Sequence, residues 1–226
     1  RQRQMCIRDR TYTVRRNNIE VTASHRFCNA APVTIAIYYG MQSMFEGETH
    51  VLTPGGAYTD WTEAAKASTF TKQEHPLFRR YVEKNRQGYQ STWLLPDGLG
   101  DHALLDGQDD IFIYAPYGKS YHKLIGNKRM ENGDKTCWRG VYTWFETPIA
   151  DDADLLCYEG SVGGHTAVFI DCKRACKRTL ALPGYLDLRH FGTAEQNSGI
   201  RISAAGRNKL KIKAGAPGSC VLLLRE

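Results

Sequence analysis

Thr136-Cys137-Trp138-Arg139-Gly140-Val141-Tyr142-Thr143-Trp144-Phe145 is the densest aromatic run in the chain. Successive side chains of an extended strand point to opposite faces of its sheet. Trp138, Tyr142 and Trp144 therefore share one face, with Gly140 between them, and the run predicts a β-strand. We expect it to be the second of two strands in residues 110–146, which are joined by a long polar loop at 118–135. Because Gly140 has no side chain, a flat ligand or another backbone can approach this face closely.

The remaining sequence predicts a mainly β fold. Alternating apolar and polar residues indicate half-buried strands, and the gaps between strands carry glycine and proline turns instead of helices. Short gaps of this kind favour antiparallel pairing, so we predict an antiparallel β-sandwich. A small helical insertion is predicted near residues 62–87, as at most two short helices at 63–67 and 77–84 that are separated by Pro76. Strands are predicted at 18–25, 33–39, 111–117, 121–125, 136–145, 154–158, 165–172, 179–182, 185–188, 199–203, 209–213 and 219–224.

Composition and charge bound the class of protein. The chain has 226 residues, of which 42% are hydrophobic, which is enough for a substantial core. Its net charge is +6, but four arginines against one aspartate in the first ten residues supply +3 of that value. The remaining +3 is too small to indicate a nucleic-acid partner. No run of 18 apolar residues is present, so the sequence predicts no membrane-spanning segment.

The first ten residues have the appearance of a translated cloning adaptor and are set aside as non-native. Residues 11–226 are then predicted to form a single β-sandwich domain, the C-terminal part of a longer protein. A signal peptide could have preceded this part, so we predict no particular cell compartment.

The sequence predicts neither a metal site nor a cofactor. Beyond residue 10 there are six cysteines, too dilute for a disulfide scaffold, and we expect reduced, mostly buried thiols. Cys172 and Cys176 form the one close pair, without a second pair at zinc-site spacing. Four carboxylates and a histidine lie near one another at Asp101, His102, Asp106, Asp109 and Asp110, but their spacing fits no EF-hand, and we expect turns there.

The aromatic strand is the predicted ligand-binding face. Carbohydrates present apolar C–H faces that stack on aromatic rings, and their hydroxyl groups need polar side chains nearby. The predicted ligand-binding residues are Trp138, Tyr142, Trp144, Arg139 and Lys123. The alternative is a non-catalytic structural or interaction domain of a larger protein, in which the same aromatic side chains are buried as core.

Whether the chain is an enzyme stays open at this stage. A general acid or base on a sugar needs a titratable side chain close to the reacting group, which histidine and glutamate can supply. His122, His102 and Glu146 are the catalytic candidates. No G-x-S-x-G nucleophile motif and no G-x-G-x-x-G phosphate loop is present.

Residues 19–25 and 33–45, the predicted helical interruption and the long antiparallel run together resemble the galactose mutarotase-like β-domains, or supersandwiches. Such domains occur in sugar epimerases, polysaccharide lyases and glycoside hydrolases, so the resemblance implies a carbohydrate-binding or carbohydrate-processing role. Mutarotases use a histidine and a glutamate across the sandwich face. The resemblance implies His122 or His165 as the histidine, and Glu146 or Glu159 as its partner.

Overall fold

The structure of the chain is a computed structural model, and it describes residues 7–44, 50–52, 58–60, 70–71, 80–95, 110–114, 119–196 and 199–224. Within these ranges the secondary structure consists of β-strands and turns, with no helix. No helix of the described part is therefore long and apolar enough to span a membrane. All neighbouring strands in it pair antiparallel, which confirms the predicted mainly β, antiparallel class.

The described residues form nineteen strands, numbered here in chain order. They are β1 (Ile7–Arg15), β2 (Asn18–Arg26), β3 (Val33–Met44), β4 (His50–Leu52), β5 (Thr59–Asp60), β6 (Phe70–Thr71), β7 (Arg80–Asn85), β8 (Gly88–Leu94), β9 (Asp110–Tyr114), β10 (Lys119–Met130), β11 (Lys135–Phe145), β12 (Ala150–Asp151), β13 (Leu155–Val162), β14 (His165–Cys172), β15 (Cys176–Ala181), β16 (Phe191–Gln196), β17 (Ile200–Ala204), β18 (Lys209–Ala214) and β19 (Gly218–Leu224).

The strands are arranged in four sheets. The seven-stranded sheet has the order β1-β2-β11-β8-β7-β4-β5, and the four-stranded sheet has the order β3-β10-β9-β6. The five-stranded sheet has the order β12-β13-β14-β19-β16, and the three-stranded sheet has the order β15-β18-β17. The aromatic strand β11 thus lies inside the seven-stranded sheet, paired with β2 and β8.

Three clusters of buried side chains join the sheets face to face. Met41 and Leu124 of the four-stranded sheet pack against Val21, Leu94 and Trp138 of the seven-stranded sheet. We call the space between these two sheets the outer layer. Because burial of apolar surface is the main stabilising contribution to folding, these contacts hold the four-stranded sheet in place.

The opposite face of the seven-stranded sheet packs against the five-stranded sheet. Trp93 and Val141 meet Tyr158 and Phe169 there, and the rings of Trp93 and Phe169 lie edge to face, 5.6 Å apart. The five-stranded sheet in turn packs its other face on Leu210 and Ile212 of the three-stranded sheet, among other residues. Both central sheets are therefore covered on both faces, which explains why β13 and β14 are buried at most of their positions.

The predicted helix at 77–84 is wrong from Arg80 onward. Arg80–Asn85 is strand β7, which forms a hairpin with Gly88–Leu94. Tyr81 and Val82 are both buried, as expected for a strand between two layers. The segment contains helix-forming residues, but pairing with β4 and β8 outweighs that weak preference. Residues 61–69 and 72–79 lie outside the described residues, so the rest of the predicted insertion is not tested.

Other boundaries also differ from the sequence-based prediction. The polar loop predicted at 118–135 is mostly strand β10, Lys119–Met130, and its turn comprises just 131–134. Residues 185–188 are not a strand, whereas Phe191–Gln196 is one. Residues 7–10, which belong to the segment set aside as non-native, extend β1 along β2. In each case the deciding factor is the neighbouring strand, which local patterning does not specify.

Candidate functional site

The aromatic face of β11 points into the outer layer. Trp138 and Tyr142 both pack into the cluster shared with the four-stranded sheet, so they share a face as predicted. Tyr142 and Trp144 stack on each other, with ring centroids 5.9 Å apart and an angle of 23° between the rings. The alternate residues Val141 and Phe145 pack on the five-stranded sheet instead.

The space above Gly140 is filled by the protein itself. Met41 of β3 lies over it, and its Sδ atom is 2.0 Å from the position that a Cβ atom on residue 140 would occupy. Gly140 allows a close approach, but the approaching group is a methionine side chain, and neither the flat ligand nor the backbone that the sequence suggested is seen there. A ligand cannot occupy the aromatic face at this point.

Trp138 is part of the core. Its side chain is 6% exposed, and its Nε1 donates a hydrogen bond of 2.9 Å to the Tyr38 hydroxyl. That hydroxyl also lies 3.0 Å from Nδ1 of His25, whose pKa is lowered by burial and by the charge of Arg10. Each of these polar groups has a partner, as buried polar groups require.

A cleft opens at the side of the outer layer, where strand β1 and strand β3 lie at the edges of their sheets. We call it the edge cleft, and its volume is about 330 Å³. Its rim carries Tyr12 and Tyr39, which are 56% and 39% exposed. The residues that line it are Arg10, Tyr12, Val21, Tyr39, Gly40, Gln42, Trp138 and Tyr142.

The position of Tyr142 in the edge cleft is determined by strand β3. Its hydroxyl donates to the backbone carbonyl of Gln42 at 2.9 Å and accepts from the Gln42 backbone N–H at 3.1 Å. Burial raises the pKa of Tyr142 to about 12, so the hydroxyl keeps its proton near neutral pH. The ring is therefore held rigidly at the bottom of the cleft.

Two other predicted ligand-binding residues, Arg139 and Trp144, lie outside the edge cleft. Arg139 points to the opposite face of β11, where its Nε is 3.2 Å from a carboxylate oxygen of Glu20. Lys123 is in β10 opposite Tyr39, but the position of its side chain lies outside what the structure describes. Among the four predicted residues whose side chains are described, the edge cleft thus contains Trp138 and Tyr142. The predictions missed Tyr12 and Tyr39, although the alternation of Tyr12 and Val14 with threonines is itself a strand pattern.

Trp144 and Glu146 line a second, more open cleft at the end of β11. This end cleft has a volume of about 560 Å³ and is lined by Asn17, Gln87, Tyr89, Trp144, Phe145 and Glu146. The Trp144 Nε1 donates a hydrogen bond of 3.2 Å to the side-chain oxygen of Gln90. Glu146 is exposed there.

The catalytic candidates do not meet in one place. His122 is fully buried in the outer layer, with its ring 5.3 Å from that of Tyr81, whereas Glu146 is in the end cleft. His102 lies outside the described residues. His165 is exposed at the start of β14, and Glu159 accepts a hydrogen bond of 2.6 Å from the Tyr185 hydroxyl. None of the predicted histidine and glutamate pairs is seen in contact among the residues that the structure describes.

A buried glutamate that the sequence did not predict is linked to His122 through Ser43 and Tyr81. Glu83 is 0% exposed; one of its oxygens accepts a hydrogen bond from Ser43, and the other has no hydrogen-bond partner among the described residues. The Ser43 hydroxyl is also 3.2 Å from that of Tyr81, which packs on His122. Burial raises the pKa of Glu83 to about 8. Residues 80–85 show no alternation of apolar and polar side chains that would have revealed this residue, and the predicted helix covered it.

A second group of charged residues links the seven-stranded and five-stranded sheets. Lys84 and Lys173 donate hydrogen bonds of 2.6 and 2.5 Å to the two oxygens of Asp151, and Tyr89 donates one of 2.7 Å. The ammonium group of Lys173 also lies 4.7 Å from the centre of the Tyr58 ring. The charges of Asp151 and of the two lysines are therefore paired with one another, and we assign this group a structural role.

No set of three His, Cys, Asp or Glu side chains within the described ranges is arranged for a metal ion. The six cysteines in these ranges form no disulfide, and Cys157, Cys172 and Cys220 are buried. Compared with known proteins, the chain matches no family model, no curated protein and no solved structure.

Proposed function

We propose that the chain binds a carbohydrate in the edge cleft. The observation that supports this proposal is the presence of four aromatic rings, those of Tyr12, Tyr39, Trp138 and Tyr142, around one cleft. The C–H faces of a sugar stack on such rings, and the side-chain amide of Gln42 supplies a donor and an acceptor for hydroxyl groups. Small-molecule sites commonly combine an apolar lining with a few polar groups in this way.

The cleft is preformed. Tyr142 is held by two hydrogen bonds to Gln42, and Trp138 by one to Tyr38, so neither ring loses much freedom when a ligand binds. Preorganisation of this kind favours affinity because less conformational entropy is lost. Arg10 also lines the cleft, but it lies in the segment set aside as non-native, and we base the proposal on Tyr12 and the residues that follow it.

We propose binding in preference to catalysis. Among the described residues that line the edge cleft, none has a carboxylate or an imidazole side chain. A general acid or base must come within hydrogen-bond reach of the group it protonates. His122 and Glu83 are titratable and near this layer, but both are fully buried between the sheets.

We also propose that the stacked antiparallel sheets form a β-sandwich of the supersandwich kind, similar to the galactose mutarotase-like domains. The support is the layered packing, in which each central sheet is covered on both faces. The alternative, an interaction domain whose aromatic residues are core, is favoured by one observation, the burial of Trp138. Carbohydrate binding requires the exposed rim tyrosines, whereas a core role of the aromatic residues does not.

The test is retention on a glycan array of the native chain and of the variants Tyr12→Ala and Tyr39→Ala. Because both rings are on the exposed rim, we expect the variants to stay folded and to lose retention of the glycan that the native chain binds. Tyr185→Ala is the matched control, since Tyr185 is a 71% exposed tyrosine outside the edge cleft. Unchanged retention by both rim variants, or no retention by the native chain, would contradict the proposal.

A further inference from the structure

The edge cleft continues along an exposed part of the seven-stranded sheet. Val14 of β1 pairs with Ile19 of β2, and Ile19 pairs with Tyr142 of β11. The neighbouring row on the same face consists of Tyr12, Val21 and Gly140. Paired residues of antiparallel strands have their side chains on the same face. Val14 is 69% exposed, so the four-stranded sheet does not cover this part of the face. We call the surface formed by Tyr12, Val14, Ile19, Tyr142 and Trp144 the shelf.

The shelf connects the two clefts. Tyr142 lines the edge cleft, Trp144 lines the end cleft, and their rings stack on each other. The backbone N–H of Trp144 donates to the carbonyl of Asn17 at 2.9 Å, which keeps the turn between β1 and β2 beside the tryptophan. A ligand that rests on Tyr142 can therefore reach Trp144 without crossing any other described side chain between the two stacked rings.

Polar groups accompany the rings in both clefts. Gln42 is in the edge cleft, and Asn17, Gln87 and Glu146 are in the end cleft. Side-chain amides both donate and accept hydrogen bonds, and a carboxylate accepts them. A chain of sugar units, each with an apolar face and a rim of hydroxyl groups, matches this alternation of rings with amides better than a purely apolar partner does.

We infer that the ligand is an oligosaccharide, one end of which occupies the edge cleft while the chain crosses the Tyr142–Trp144 stack into the end cleft. This inference rests on the proposed carbohydrate binding and specifies its substrate class. It assigns the stacked pair to the junction between two sugar subsites. Trp144 then contributes to binding of longer chains and not to binding of a single sugar unit.

The experiment is calorimetric titration with fragments of one to six sugar units prepared from the glycan that the array retains best. The native chain should bind the longer fragments more tightly than the single unit. For Trp144→Ala we expect roughly a tenfold loss of affinity for the longer fragments, the size of one aromatic contact, and unchanged affinity for the single unit. Trp144→Phe keeps a ring on Tyr142 and should recover part of the loss.

Gln87→Ala is a second variant, which removes an exposed turn side chain of the end cleft without touching the core. It too should weaken binding of the longer fragments alone. Equal affinity of the native chain for one unit and for six, or equal losses at all lengths in Trp144→Ala and Gln87→Ala, would overturn the inference while leaving carbohydrate binding intact. No binding of any fragment would overturn both.

Discussion

Met41 fills the space that a side chain on Gly140 would need: its Sδ atom lies 2.0 Å from the position that a Cβ atom on residue 140 would occupy. Both residues are buried, so neither sheet can absorb a larger group here without moving. The glycine therefore determines how closely the four-stranded sheet approaches the aromatic strand.

Gly140→Ala should destabilise the fold by about 1–3 kcal/mol through overpacking. Met41→Ala alone should cost about 2–5 kcal/mol because it leaves a cavity. In the double variant the new methyl group enters that cavity, so we expect the combined loss to be smaller than the sum of the single losses. Urea denaturation of the four proteins measures this coupling. Gly184→Ala, at a glycine with nothing within 4 Å, should be nearly neutral, and strict additivity would show that the contact is unimportant.

Trp138 and the rim tyrosines should behave differently on truncation. Trp138→Ala should lower the free energy of unfolding by about 3–5 kcal/mol, since the ring is buried and hydrogen bonded to Tyr38. Tyr12→Ala and Tyr39→Ala should change it by roughly 0.5 kcal/mol or less. Chemical denaturation followed by fluorescence distinguishes the two groups. A Trp138→Ala protein of native stability would mean that the tryptophan is not part of the core.

Glu83 should make stability depend on pH above the usual glutamate range. Burial raises its pKa from 4.5 to about 8, so the folded state holds a proton that the unfolded state has lost. The free energy of unfolding is therefore highest below about pH 4.5 as far as this group is concerned, and it falls as pH rises through 8.

Glu83→Gln should abolish that fall, because glutamine stays neutral and its oxygen can still accept from Ser43. Denaturation between pH 5 and pH 9 is the measurement. Between pH 5 and pH 9 the free energy of unfolding of the native chain should fall by more than about 1 kcal/mol, and that of the variant should not show this fall. The ring of His122 packs on that of Tyr81 in the same layer, so His122→Gln serves as the comparison: if it removes the pH dependence instead, Glu83 is not the group responsible.

Asp151 should have the opposite pH dependence. Burial raises its pKa, but hydrogen bonds from Lys173, Lys84 and Tyr89 outweigh that effect and hold the pKa below its usual value of 3.8. Stability from this group is therefore present above about pH 4 and is lost as pH falls further.

Asp151→Asn should reduce stability at pH 7 by about 1.5–3 kcal/mol, since two lysines lose a charged partner. The difference between native and variant should shrink as pH is lowered towards 2, which acid titrations in urea can follow. Asp134→Asn, at a turn aspartate outside this group, is a suitable control. A difference that stayed constant with pH would exclude the charge of Asp151 as its source.

Most of the strands could be predicted because alternation has a period of two and is local. The pattern of β18, in which Leu210 and Ile212 alternate with lysines, is visible in the sequence and matches the buried and exposed residues of the structure. The helix predicted at 77–84 is wrong from Arg80 onward because local composition carries less information than the pairing of β7 with β4 and β8. Half of the aromatic residues of the edge cleft could be predicted, because Trp138 and Tyr142 lie on one strand. Tyr12 and Tyr39 could not, because they come from two other strands that only the fold brings to this place.

The sequence by itself determined that this chain is an antiparallel, mainly β protein and that Trp138 and Tyr142 lie on one face of a strand. The tertiary structure alone decided which sheet covers that face and where the cover ends. Met41 fills the space over Gly140, and the same covering sheet stops short of Tyr12 and Val14. The physical reason is that side-chain direction follows from the local backbone, whereas burial depends on packing between strands that are distant in sequence.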